Sequence, residues 1–334
     1  MVEQKQVCIM IIRLNKICGI ILAGIFFSLP VTAEESNNEM FSEQNTVEDI
    51  LRTPEFKGFA KKLLPWDDES RNNPEVKISE IGRLMPYHNN IVPTDILVSL
   101  NYLLAETRHG KQVFYEIYPE QDKQRENTGI FFFRGKPDAP FAIICPGGGF
   151  SYVGSLHEGF PLALELSKQG YNAFVIKYRS GSPDWAMQDL ATAISYIFAK
   201  AEGLQISTDN YSVWGGSAGA RMAAYIGSYG VNAFGGDNLP RPAAVIMAYT
   251  GHGDFTSQQP PTFMVVGEND WIANPLAMKR RAESLTNAGI KTEFHQYPNL
   301  GHGFGLGTKT SAAGWLDKAV KFWEKQIKRL QKSI

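Results

Sequence analysis

Apolar positions in this chain keep a helical spacing up to about residue 108 and a different pattern beyond it. Residues 34 to 45 are polar. Thr46 followed by Asp49 reads as a helix start, with Val47, Ile50 and Leu51 on its apolar side. Thr53-Pro54 predicts a second short helix with Phe56, Phe59, Ala60 and Leu63 on one face, ended by Pro65. Pro93 precedes Ile96, Leu97, Leu100, Leu103 and Leu104, again at helical offsets. Beyond Gly110 strands begin: Gln112 to Tyr118, Thr128 to Arg134 and Phe141 to Cys145. A helix over Leu156 to Gln169 leads to a strand over Asn172 to Tyr178. A helix over Asp184 to Ala201 leads to a strand over Tyr211 to Gly215 and a helix from Ser217. Ala243 to Tyr249 and Thr262 to Gly267 are continuous apolar strands. Pro275 to Ala288 is a helix, Lys291 to Tyr297 a strand, and Leu316, Val320, Trp323, Ile327 and Leu330 mark a last helix. Apolar strands alternating with amphipathic helices predict an α/β fold: a mostly parallel sheet with helices on both faces. An α-rich N-terminal extension precedes it.

The first 33 residues stand apart from this pattern. Lys5, Arg13 and Lys16 precede an uncharged apolar run from Ile17 to Leu29, and Val31 and Ala33 are small residues before Glu34. That is the layout of a secretory signal peptide cut near Ala33, and the apolar run is shorter than the roughly 20 residues that span a bilayer. The expected organisation is a signal peptide at 1–33, a helical extension at 34–109 and a catalytic α/β domain at 110–334. An exported protein, periplasmic or extracellular, with no stable membrane insertion follows from that reading. Removing the leader takes Cys8 and Cys18 with it and leaves Cys145, so no internal disulfide is expected. A net charge of -1 lacks the basic field that nucleic acid demands. Six His without clustered ligand spacing argue against a metal protein.

Candidate chemistry gathers at strand ends. Gly215-Gly216-Ser217-Ala218-Gly219 is a G-x-S-x-G pentapeptide with an apolar strand before it and an amphipathic helix after it. Such a turn holds a serine hydroxyl exposed above the sheet edge, with small neighbours letting strand and helix approach. A serine needs a base to accept its proton. His302 lies on a glycine-rich loop just beyond the last strand, whereas the other histidines are less well placed. The base in turn needs an acid to fix its tautomer, and Asp270, just after the strand ending at Gly267, is preferred over Glu268 and Asp254. Pro146-Gly147-Gly148-Gly149-Phe150 follows another apolar strand. The backbone N–H groups of Gly148 or Gly149, with that of Ala218, are the expected oxyanion donors. No Walker-type or G-x-G-x-x-G spacing supports a phosphate loop here, and Cys145 reads as a small buried hydrophobe.

With these residues in view, the chain resembles the α/β-hydrolases, in their carboxylesterase and acetyl-xylan-esterase-like branch, over roughly residues 110 to 331. Pro146 to Phe150, His157-Glu158-Gly159 and Ala173 to Arg179 carry the likeness beyond the three polar residues. It implies ester hydrolysis through an acyl-enzyme without a cofactor, with short acyl esters, acetyl groups on carbohydrate among them, as substrates. Pro146 stands where lipase-type relatives carry a histidine, and Ala220-Arg221 follows the turn where relatives often carry a glycine and a small residue or histidine. Both departures bear on pocket shape. Tyr152, Glu158, Tyr87 and His88 are candidate substrate contacts, and the extension is expected to cover the C-terminal sheet edge as a lid. A prolyl-oligopeptidase-type peptidase and a non-catalytic binding protein on the same scaffold are the alternatives.

Overall fold

In chain order the strands are β1 (Phe114–Tyr115), β2 (Gly129–Phe133), β3 (Pro140–Cys145), β4 (Asn172–Lys177), β5 (Ser207–Gly216), β6 (Ala244–Ala248), β7 (Thr262–Gly267) and β8 (Thr292–Tyr297). The α-helices are α1 (Val47–Arg52), α2 (Pro93–Arg108), α3 (Phe160–Lys168), α4 (Pro183–Ala199), α5 (Ala201–Leu204), α6 (Ala218–Tyr229), α7 (Pro275–Asn287) and α8 (Trp315–Gln331). They come from a computed structural model that describes residues 40–119 and 121–331. The expected leader over 1–33 lies outside the described residues.

The strands form one eight-stranded sheet in the order β1-β2-β4-β3-β5-β6-β7-β8. β1 and β2 pair antiparallel, and every pairing from β4 to β8 is parallel. This is the mostly parallel sheet that the apolar strands imply. β2, β4, β6 and β7 are buried along their whole lengths, so a side chain on either face meets a helix rather than water. The order of strands reverses around β3, which opens a crevice at the carboxyl ends of β3 and β5. The pentapeptide and the glycine loop both leave the sheet there.

Several elements differ from expectation for identifiable reasons. The helix expected from Pro54 to Leu63 is two 3-10 turns, Pro54–Phe56 and Ala60–Leu63. Gly58 between them takes φ +96, which no α-helix can include. The strand expected over 112–118 shrinks to Phe114–Tyr115. The helix expected from Leu156 starts at Phe160, after a π-helical turn over Ser155–Gly159. Pro161 there lacks the N–H that would bond the His157 carbonyl.

The extension packs against the sheet rather than only above it. α2 lies along α3, and the Phe59 ring stacks on Phe114 at 5.6 Å and meets Phe131 edge-on at 6.0 Å. Lys177, buried at the end of β4, donates from Nζ to the carbonyls of Leu64 and Pro65 at 3.1 Å each and sits 3.1 Å from Asp67. Burial pulls that ammonium below its usual range, against the pull of Asp67. Among the extension's bonds to the loops at the sheet's carboxyl end are those of the turn Tyr87–Asn89.

Candidate active site

Ser217 sits between β5 and α6 with φ 51 and ψ −115, a backbone conformation that a side-chain-bearing residue adopts only when its surroundings enforce it. Its N–H donates to the Ala248 carbonyl at 2.9 Å. The close approach of strand and helix explains two of the flanking glycines. A Cβ on Gly219 would lie 1.8 Å from the Cys145 carbonyl oxygen, and one on Gly215 would lie 2.2 Å from Gly219 itself.

The structure brings the three distant polar residues together. Ser217 Oγ lies 2.9 Å from His302 Nε2, and His302 Nδ1 lies 2.8 Å from Asp270 Oδ2. The carboxylate of Asp270 also accepts the N–H groups of Ile272 and Ala273 at 2.9 and 2.7 Å. With Nδ1 donating to this carboxylate, Nε2 is left to accept the serine proton. The Tyr249 ring packs edge-on against the imidazole at 5.1 Å. The rival acids are engaged elsewhere: Glu268 accepts from the Asn299 N–H at 3.3 Å, and Asp254 accepts from the Tyr229 hydroxyl at 2.6 Å. The loop of His302 is fastened from the extension. Asn89 donates its N–H to the Gly303 carbonyl at 3.1 Å and its amide to the His302 carbonyl at 3.2 Å.

Gly148 and Gly149 follow β3 with φ of 130 and 63. Neither they nor Ala218 donate a backbone hydrogen bond to a turn or loop partner among the described residues. Ala218, at the first helical position, has no intrahelical acceptor. Gly149 and Ala218 border the cleft in which Ser217 lies, so their N–H groups are available to a developing oxyanion.

Three of the four expected substrate contacts are buried inside the protein instead. Glu158 is almost inaccessible and accepts the Gly147 N–H at 2.6 Å through Oε2, while Oε1 lies 3.1 Å from His88 Nε2 without hydrogen-bond alignment. Burial raises that carboxyl, but His88, His157 and the Gly147 N–H outweigh it and bring it down to about 2. His88 Nδ1 and the Tyr152 hydroxyl are 2.8 Å apart, and that hydroxyl also accepts the Tyr87 N–H at 3.0 Å. These groups therefore hold the glycine loop from below and do not face the cleft. Tyr87 alone is exposed, with its ring beside Gly149 and stacked on Tyr152 at 5.6 Å. His157, in the same buried group, donates from Nε2 to the Gly303 carbonyl at 2.9 Å. Burial, then the charge of His88, lowers its value to about 4.

The cleft above Ser217 encloses about 500 Å³. Its walls include Arg221, Tyr225, Tyr249, His252 and Ile272, none of which sequence reasoning singled out as substrate contacts. Arg221 had a readable signal, since a residue four after Ser217 in a helix shares its face. His252 and Ile272 reach the cleft only through tertiary folding of separate loops. Among the described residues, no group of three His, Cys, Asp or Glu side chains is placed to hold a metal. Cys145 is fully buried, and burial raises its thiol.

Sheet order, strained serine turn and converged polar residues are those of an α/β-hydrolase fold. A family model described as BD-FAE matches residues 133–245. An acetylxylan esterase of Xylanibacter ruminicola is 23% identical over 59% of this chain and 48% of its own length, so the chain spans about half of that curated relative. The fold is similar to that of an acetyl ester-xyloside bifunctional hydrolase from Caldicellulosiruptor lactoaceticus, with a TM-score of 0.55, 20% identity, and coverage of 64% of this chain and 95% of the other. It is likewise similar to a thermophilic esterase from the Planctomycetes species Thermogutta terrifontis, with a TM-score of 0.55, 17% identity, and coverage of 64% and 93%. At these identities the structural likeness is one of fold.

Proposed function

We propose that the protein is an exported serine esterase that hydrolyses carboxylic esters of short acyl groups, with acetyl esters of carbohydrate as the natural class. The observation that carries this reading is the imidazole of His302 held between Ser217 Oγ at 2.9 Å and Asp270 Oδ2 at 2.8 Å. Ser217 Oγ attacks the ester carbonyl carbon while its proton passes to His302 Nε2. The carbonyl oxygen becomes an oxyanion, received by the N–H groups of Ala218 and of Gly148 or Gly149. Collapse breaks the bond to the alkoxy oxygen, which leaves as the alcohol with the proton from His302. Water then attacks the acyl-enzyme with His302 again taking the proton, and the carboxylic acid departs as Ser217 recovers its hydrogen. Asp270 keeps Nδ1 protonated and stabilises the imidazolium throughout. The acetylxylan esterase of Xylanibacter ruminicola supports the substrate class.

Turnover of 4-nitrophenyl acetate and labelling by a fluorophosphonate probe test the reading. Both are expected in the native chain and absent from Ser217→Ala. Wild-type turnover by that variant would overturn it. Peptide-amide hydrolysis faster than ester hydrolysis would favour a peptidase. Export is tested by fractionation of cells and N-terminal sequencing, with a mature chain beginning near Glu34 expected.

A further inference from the structure

The wall of the cleft beside Ser217 carries a guanidinium that makes no ion pair among the described residues. Arg221 stands one helical turn beyond Ser217 on the same face of α6 and lines the cleft. Its Nη2 meets the Tyr225 hydroxyl at 3.3 Å and its guanidinium lies 5.3 Å from the Tyr225 ring centre. Its Nε is buried without a hydrogen-bond partner among the described residues. Behind the loop that follows β6 lies Arg281, only 2% exposed. One of its nitrogens, Nη1, donates to the Asp254 carbonyl at 2.5 Å, while Nε and Nη2 are buried and unpartnered among the described residues. Ion pairs of other arginines with carboxylates are present, but neither Arg221 nor Arg281 makes one among the described residues. His252, also on the cleft wall, has a buried and unpartnered Nε2, and burial together with Arg281 and Arg221 lowers its value to about 4.

Asp254 also lines the cleft and its charge acts on Arg281 and His252, but among the described residues no acid makes an ion pair with Arg221 or Arg281. Asp254 is engaged by the Tyr229 hydroxyl at 2.6 Å, and Asp270 is committed to His302 and two loop N–H groups. Arg281 is withdrawn from water without an ion pair, which is unfavourable, whereas Arg221 is partly exposed to the cleft, where a ligand can reach it. A planar fork of N–H donors fits a carboxylate, which can take two of them at once.

We propose that this wall is a carboxylate-binding subsite: the ester carries a second, free carboxylate on its non-reacting part, received by Arg221 with His252 beside it and the charge of Arg281 behind. This rests on ester hydrolysis at Ser217 and names the substrate class of that site. The carboxylate belongs either to a dicarboxylic half-ester on the acyl side or to an acidic alcohol such as a uronic acid.

Matched pairs of esters test it with the full chain at neutral pH and low salt. On the acyl side, 4-nitrophenyl hemisuccinate is compared with 4-nitrophenyl butyrate. On the alcohol side, 4-acetoxybenzoate is compared with its neutral methyl ester. The anionic member of one pair is expected to show kcat/KM about tenfold above its neutral twin, and the pair that shows it assigns the side. Arg221→Gln is expected to remove that preference. Equal or lower turnover of the anionic member in both pairs overturns the proposal, as does a preference that survives Arg221→Gln. The comparison in the native chain does not depend on the variant folding. Calorimetric binding of succinanilate and 4-acetamidobenzoate, the amide counterparts of the anionic esters, supplies a readout apart from turnover. Binding by one of them, weakened about tenfold in Arg221→Gln, is expected, and no binding by either overturns the subsite. Failure to hydrolyse all four esters defeats the esterase reading instead, and the calorimetry still decides the subsite.

Discussion

Glu158 is one side chain with two duties, since one carboxylate oxygen holds the Gly147 N–H and the other faces His88 of the extension. Glu158→Gln keeps an acceptor for Gly147, whereas Glu158→Ala frees the loop altogether. The expected loss in kcat on 4-nitrophenyl acetate is on the order of tenfold for Gln and a hundredfold for Ala, with KM moving less, as suits a positioning residue. Equal losses in both variants would refute the role of the Gly147 bond. Acid sensitivity follows from the same group. Glu158 falls from 4.5 to about 2, so it stabilises the fold above about pH 4.5 and loses that contribution as pH drops toward 2. His157 falls from 6.5 to about 4, so protonation favours the unfolded chain as pH drops from 6.5 to 4. The thermal midpoint is therefore expected to decline below pH 6.5, with a flatter decline between 6.5 and 4 in His157→Gln. Ser217 and Asp270 were readable because each follows a strand whose apolar run announces it, and His302 because it lies on a glycine-rich loop just after the last strand. Glu158 and His88 were readable as residues but not as partners, because their pairing depends on how the extension docks, which no local pattern encodes.

Among the elements, the turn from β5 into α6 has the least room. Gly219→Ala must displace the Cys145 carbonyl, a backbone group that cannot swing away. A loss of about 3 kcal/mol or more, or failure to fold, is expected by urea denaturation. Gly203→Ala, in α5 with nothing within 4 Å of the new methyl, is the control. It is expected to be neutral or to stabilise by up to about 1 kcal/mol. The parallel core was legible because fully buried strands must be apolar on both faces. The extension was legible only in α1 and α2. Its 3-10 turns carry apolar residues at helix-like spacing but are shaped by Gly58 and by packing against Phe114 and Phe131. Spacing alone does not separate such turns from a helix.

At the scale of the molecule, the extension and the sheet share one interior. A chain beginning at residue 110 would lose the carbonyls that receive Lys177, the partner of Glu158 and the fastening of the His302 loop. It is expected to be insoluble or inactive, as sedimentation and ester turnover would reveal; a soluble and active truncation would show the extension to be a dispensable lid. The buried ammonium of Lys177 also bears on biogenesis. Its two carbonyl acceptors are made more than a hundred residues earlier, at sequence separations of 113 and 112. As the nascent polypeptide emerges, those early residues must wait for β4 to be synthesised before the seam can close. Closure of this seam accordingly waits until synthesis has passed residue 177 of 334, and any ribosomal pause or chaperone release that falls before Lys177 leaves the opening segment without its mooring.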